Sequence, residues 1–471
     1  MTALALTQLP GRKLPFIKKV FVWSIVFESL LFFIIGSQFT TGFVITVGKL
    51  LQIGVMLVLP LAHLAYGRDI QIVNPAAPAY KYFTAFWLLA VVSGVIGAST
   101  GAYELQNAYL SEYANTDIAR VIRGPATRPI IEYGILLYYF VYFTVLPRYM
   151  LRTDEAKRYF FAVFRFAFSA CLVLGFIDLV LDGFGYEWIP RDMSEGRHVL
   201  FRFHGLAGEP RDAFVYLMFG LAVLNLEAFW KSRAGVSRAW IGAVFIAAIF
   251  TQSASGLLGL LFGVGLVVVA SAREISVRHV LWLVGIILVL ISVVLISARN
   301  SPRIKLYLGE AAPLLLALQG GKAPPPLITL QMVNIYPVWD LYRKTVDGDL
   351  RPVLIGSGLG TASVVNNNLA GTQELANPNS EVIRLLYECG LIGTVLLVIA
   401  FMYPVKQVTS LLSAVERRRF LIFTCLLIGL FLAHRSTTAF IYLGIFLAVL
   451  GGPGATLAPL VHGGSSRRPS A

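Results

Sequence analysis

Apolar residues run along this chain in long blocks separated by short polar connectors, and the blocks have the length that crosses a bilayer. A spanning helix needs about 20 apolar residues at 1.5 Å each. Blocks at 20–36, 43–66, 82–102, 130–146, 159–181, 212–229, 280–297 and 381–403 meet that requirement. Two further stretches, 240–271 and 420–450, are too long for one span and short for two, at about 30 residues each. Each has a polar middle, Thr251-Gln-Ser-Ala-Ser-Gly256 and His434-Arg-Ser-Thr-Thr438. Reading both as hairpins gives about twelve helices with both termini cytoplasmic. More than half of the 39 Lys and Arg, Glu416-Arg-Arg-Arg419 among them, then lie on the inner side, as the positive-inside rule requires. A single helix at 240–271 would force that arginine cluster outside.

On this topology three outer segments are long, 103–129, 182–211 and 298–380, and they are expected to meet on one face. Loops as long as the last, a large late loop, are functional or disordered, and function is the reading taken here. The chain reads as one polytopic all-α membrane domain over 1–471, with no internal repeat of the inverted kind. A tail from Gly451, rich in Gly, Pro and Ser with Arg467 and Arg468, reads as disordered on the inner surface.

Composition agrees. The 471 residues are 57% hydrophobic and only 14% charged, with mean hydropathy +0.73, whereas soluble domains carry about 25% charged residues. The net charge of +14 is spread over many connectors and forms no basic domain, so nucleic acid is not the implied partner. Cys171, Cys389 and Cys425 lie inside apolar segments with no paired spacing, and read as core residues. Arg12, Lys13, Lys18 and Lys19 ahead of an apolar run look like a signal peptide, but without a convincing cleavage site the run reads as a retained first helix.

Chemistry is expected where polar clusters meet helix starts. The second outer loop, Arg197-His-Val-Leu-Phe-Arg-Phe-His-Gly-Leu-Ala-Gly-Glu-Pro-Arg-Asp212, gathers arginines, imidazoles and carboxylates at the opening of a helix. Arginine forks and a helix N-terminus can hold phosphate; capping with snorkelling arginines is the plain alternative. Gly356-Ser-Gly-Leu-Gly360 lacks the strand and helix of a dinucleotide fingerprint and reads as a tight turn. Beyond it, Asn377 and Asn379 lead into a helix on which Glu381, Arg384 and Glu388 share one face, either as chemistry or as a mutually paired stripe. Glu28 and Lys49 are deep intramembrane charges expected to pair. His434 and Arg435, in the last turn, read first as a satisfied turn.

Together, Arg202…Gly205…Glu209-Pro210, Thr251…Ser253…Gly256 and Asn379-Ser-Glu-Val-Ile…Glu388-Cys-Gly390-Leu-Ile-Gly393 resemble the motifs of the O-antigen ligase and polymerase superfamily of bacterial envelope glycosyltransferases. The resemblance implies a multi-pass inner-membrane enzyme that works at the periplasmic face. It would transfer an oligosaccharide from undecaprenyl diphosphate to the nonreducing end of another lipid-linked repeat, without metal or cofactor. Partners implied are the lipid-linked oligosaccharide, membrane lipids, a flippase and a chain-length regulator. Arg202 and Arg211, with Arg384, would hold the diphosphate, Glu381 or His204 would be the base, and Glu209, Asn379, His434 and Arg435 would support them. Asn379 stands where the family's ligases carry a histidine, and Ala254 where an arginine is common. Asn takes no proton at neutral pH, which tilts the resemblance from ligase, joining glycan to lipid A core or protein, toward polymerase. A lipid-linked oligosaccharide flippase is the alternative of another class.

Overall fold

A computed structural model describes residues 15–28, 34–36, 45–66, 80–103, 127–186, 188, 202–207, 209–232, 235–271, 276–278, 281–282, 284–285, 288–289, 292, 312–322, 324, 332–370, 377–434 and 436–450. The helices are α1 Phe16–Glu28, α2 Val47–Tyr66, α3 Lys81–Ser99, α4 Thr127–Tyr138, α5 Leu146–Met150, α6 Asp154–Gly183, α7 Pro210–Trp230 and α8 Arg238–Thr251. They continue with α9 Ala254–Ser271, α10 Ile335–Val346, α11 Arg351–Leu354, α12 Thr361–Ala370, α13 Glu381–Thr409, α14 Ala414–Ala433 and α15 Thr438–Leu450. A π-helical stretch, Tyr139–Val145, joins α4 to α5, and two short antiparallel strands, β1 Ile34–Gly36 and β2 Ile45–Thr46, lie between α1 and α2.

The protein is an all-α membrane protein. Among the described residues, five helices are long and apolar enough to cross a bilayer: Lys81–Ser99, Pro129–Met150, Asp154–Gly183, Pro210–Trp230 and Glu381–Thr409. The twelve spans expected from the sequence are therefore not found among the described residues. The ambiguous stretches break at Gln252–Ser253 and ahead of Thr438, leaving arms of 14 residues in α8 and 13 in α15, about 20 Å of helix where the hydrocarbon core needs about 30 Å. Nor do the arms of the first stretch pair as a hairpin, since α8 packs on α6 and α7 while α9 packs on α14. Near the N-terminus, α1 ends at Glu28 and gives way to the strand pair, so the block at 20–36 is not one helix. Most of 280–311 and the tail from 451 lie outside the described residues. The late segment 298–380 is not plain loop, because it carries α10, α11 and α12.

Caps and small residues set the helices in place. Thr153 caps α6 through Ala156 N, Ser237 caps α8 through Trp240 N, and Ser413 with Glu416 forms a capping box on α14, each satisfying otherwise orphaned N–H groups. The helices α9 and α14 cross closely, where Gly259 and Gly263 face Gly429 backbone to backbone. Apolar side chains gain little from leaving lipid for each other, so close backbone approach through small residues is how such helices associate. Gly444 lies in the same way against the Phe143 carbonyl of the π-helical stretch. An aromatic column of Phe160, Phe164, Phe168, Tyr216 and Phe219 joins α6 to α7.

Several deep polar groups are partnered. Gln52 Nε2 donates to Glu28 Oε2 at 2.8 Å, and Tyr138 donates to Gln52. The charge of Lys49 also acts on Glu28. Ser24 and Tyr142 share a 2.7 Å hydrogen bond beside them. Arg165 meets Glu227 across α6 and α7 at 3.2 Å.

Candidate functional site

The junction into α13 holds a buried ion network. Arg384 is 1% exposed, and its three guanidinium nitrogens all face carboxylates. Nε donates to Glu381 at 2.9 Å and Nη2 to the other Glu381 oxygen. Nη1 donates to Glu388 at 3.0 Å and to Glu132 at 3.4 Å. The stripe on α13 is thus mutually paired, and Arg384 offers no open nitrogen to a diphosphate. Both oxygens of Glu381, itself 2% exposed, face the same guanidinium and are closed to an incoming hydroxyl. Glu132, from α4, is the member that sequence reasoning missed. Its signal was a lone acid inside the apolar block at 130–146, where an unpaired charge is expensive.

The glycine-rich turn docks on this network. Ser357 N donates to Tyr387 O and Gly358 N to Glu388 O, each at 2.9 Å, and Ser93 Oγ reaches the same Glu388 carbonyl at 2.7 Å. Gly356 and Gly390 have φ of +93° and +68°, and their backbones touch Glu388 and Leu354 so closely that a Cβ on either has no room. Glu388 Oε1 also accepts from Ala362 N at the start of α12, at 3.4 Å. On the rim, Tyr103 donates to Leu359 O at 2.9 Å; burial pushes its phenol pKa above the ordinary value, so it stays a donor. The turn therefore latches the late segment onto α13, and no phosphate-binding loop is formed.

A second cluster gathers around the start of α7. Phe203 N donates to Phe250 O at 2.9 Å and Arg202 Nε to Thr251 O at 3.2 Å, which ties the arginine-bearing loop to the end of α8. His204 is 2% exposed. Its Nε2 lies 3.2 Å from Asp178 Oδ2 of α6, and neither ring nitrogen has the alignment of a hydrogen bond. Pro210 opens α7 and suits the first helical position. Arg211 pairs with Glu209 and keeps a side chain 37% exposed. Asp212, in the first turn, accepts or shares a proton with His434 Nε2 at 2.6 Å. His434 in turn caps the C-terminal end of α14.

These contacts bring the separate motifs to one end of the helix bundle. Ser380, the residue before α13, donates from Oγ to Leu432 O at 3.3 Å and from N to Asn334 Oδ1 at 3.1 Å, so the α13 start, the α14 end and the α10 start adjoin. Asn377 accepts from Ser363, and Asn379 is half-buried. Arg202, Glu209, Arg211 and His434 fall together around α7 and the α8 end. Glu381 and Arg384 stay within the enclosed network, which nears them through the Ser380 contact with Leu432 O, His204 is shut behind Asp178, and Arg435 lies outside the described residues. Chemically, the open part of the cluster offers two arginines, a helix N-terminus and a carboxylate-held imidazole.

No family model matches this chain, no curated protein matches it, and no solved structure matches it.

Proposed function

We propose that this protein is a polysaccharide polymerase of the bacterial inner membrane. It would act at the periplasmic face, with both termini cytoplasmic, and move an oligosaccharide from undecaprenyl diphosphate onto the nonreducing end of a second lipid-linked repeat. The observation that carries the reading is the convergence of Arg202, Arg211, the N-terminus of α7 and His434 at one end of an apolar helix bundle. A lipid diphosphate leaves readily once its developing charge is held, and arginine forks beside a helix N-terminus supply that electrostatic stabilisation. The apolar bundle suits a prenyl tail, while the sugars would stay in the aqueous cluster at the bundle's end. Arg384 takes no part in binding on this reading, and serves to hold α13 against α4.

The sequence lacks the ligase histidine at Asn379, which favours chain extension over transfer to lipid A core. Deleting the protein from its host and resolving the surface polysaccharide by gel tests the reading. Single repeats on the final acceptor are the expected result. Full-length polymer that stays on its lipid carrier would instead mark a ligase, and an unchanged ladder would exclude both.

A further inference from the structure

We propose that His434 is the catalytic base of this site and Asp212 the residue that positions it; the assignment rests on the glycosyl-transfer reading above. Of the imidazole and carboxylate groups around the site, Glu209 is engaged in its ion pair with Arg211, and the surroundings of Glu381, His204 and His434 separate those three. Glu381 has both oxygens on Arg384, and His204 is sealed at 2% exposure beside Asp178. The His434 side chain keeps 9% exposure and its partner Asp212 keeps 21%, so of the three this pair alone keeps an accessible edge.

The geometry is that of an oriented imidazole. Nε2 lies 2.6 Å from Asp212 Oδ1, and among the described residues nothing else binds the ring. A carboxylate at that distance fixes the tautomer, with Nε2–H donating to Asp212 and the lone pair on Nδ1. The two helix ends reinforce the pair. Asp212 sits in the first turn of α7, where negative charge is favourable, and His434 sits at the C-terminal end of α14, where positive charge is. An imidazole that gains a proton there finds its new charge already compensated.

The step balances without any further reagent. The acceptor sugar hydroxyl attacks the anomeric carbon of the donor, forming the new glycosidic C–O bond. The bond from that carbon to the diphosphate oxygen breaks, and its electron pair leaves on the diphosphate beside Arg202 and Arg211. The hydroxyl proton passes to Nδ1 of His434 and is released to water when the products depart. A single displacement of this kind inverts the anomeric configuration.

The test uses the full-length protein in lipid nanodiscs with the lipid-linked repeat extracted from cells that lack it. Wild type is expected to extend the chain, while His434→Gln and Asp212→Asn each lose about 100-fold or more in rate, with Asp212→Glu recovering part of the loss. Nitrogen-15 NMR of the histidine-labelled wild-type protein is expected to show the Nε2–H tautomer at His434, and Asp212→Asn to abolish it. The wild-type half of that signature does not depend on whether the variants express well. A wild-type ring with its proton on Nδ1, or both variants within about threefold of an active wild type, would overturn the assignment and leave the polymerase reading standing. A wild-type protein that leaves the lipid-linked repeat untouched would overturn the reading and the assignment with it.

Discussion

Replacing Arg384 by Ala removes one cation from among three buried carboxylates, and the sign and order of the effects follow from the distances. Glu381 Oε2, Glu388 Oε2 and Glu132 Oε2 lie 2.9, 3.0 and 3.4 Å from guanidinium nitrogens. At an effective dielectric of about 20, a unit charge pair at the longest of these distances attracts by about 5 kcal/mol. Breaking a buried pair by deleting one partner typically costs about 3–5 kcal/mol, and Arg384→Ala strands three acids at once, so it belongs at the top of that range. Glu132→Gln is the opposite case. It gives up one attraction, but it also relieves repulsion from two like charges around the same guanidinium, so its net effect is expected within about 1 kcal/mol of zero. Glu388→Gln falls between, because the amide oxygen still accepts from Ala362 N. Thermal unfolding of detergent-purified protein, followed by tryptophan fluorescence with size-exclusion profiles, ranks the three. An Arg384→Ala variant as stable as wild type, or a Glu132→Gln variant less stable than Arg384→Ala, would refute the reasoning.

Arg202→Lys and Arg211→Lys keep the charge but lose the planar fork, so polymer yield in cells is expected to fall about tenfold or more with membrane levels unchanged; wild-type yield from both would remove them from the site. Gly429→Leu sets a side chain into the backbones of Gly259 and Gly263, and is expected to disperse the folded peak in fluorescence-detected size exclusion, whereas Gly242→Leu, with open space around it, leaves that peak intact. Single cysteines at Ser255, in the first turn of α9, and at Thr437, in the break before α15, are expected to react with an impermeant reagent from the outer side, and Arg418→Cys is not; labelling at Arg418→Cys alone would invert the proposed topology.

What was legible in the sequence was what depends on short range. Five apolar blocks, at 82–102, 130–146, 159–181, 212–229 and 381–403, reappear as the long helices, because each combines sufficient length with continuous hydropathy. The i, i+3, i+7 spacing of Glu381, Arg384 and Glu388 put them on one face before any contact was seen. What failed depended on distance along the chain. Glu132 reaches Arg384 across 252 residues and Asp212 reaches His434 across 222, and no periodicity carries such pairings. Glu381 and Glu388 meet Arg384 within one helix, as the paired-stripe reading of that spacing allowed, whereas the closing of the carboxylate ring by Glu132 comes from 252 residues away. The span count failed for a different reason. Hydropathy measures how apolar a stretch is, but Gln252, in a left-handed conformation at φ +50°, and the Glu28 end of α1 decide where helices stop.

The central claim, that this protein elongates a lipid-linked glycan, is tested most directly by giving the purified protein in nanodiscs nothing but undecaprenyl-diphosphate-linked repeat. The account predicts a ladder of lipid-linked products spaced by one repeat, with one undecaprenyl diphosphate released per addition. Donor recovered intact, or donor consumed only when lipid A core is added, would contradict it.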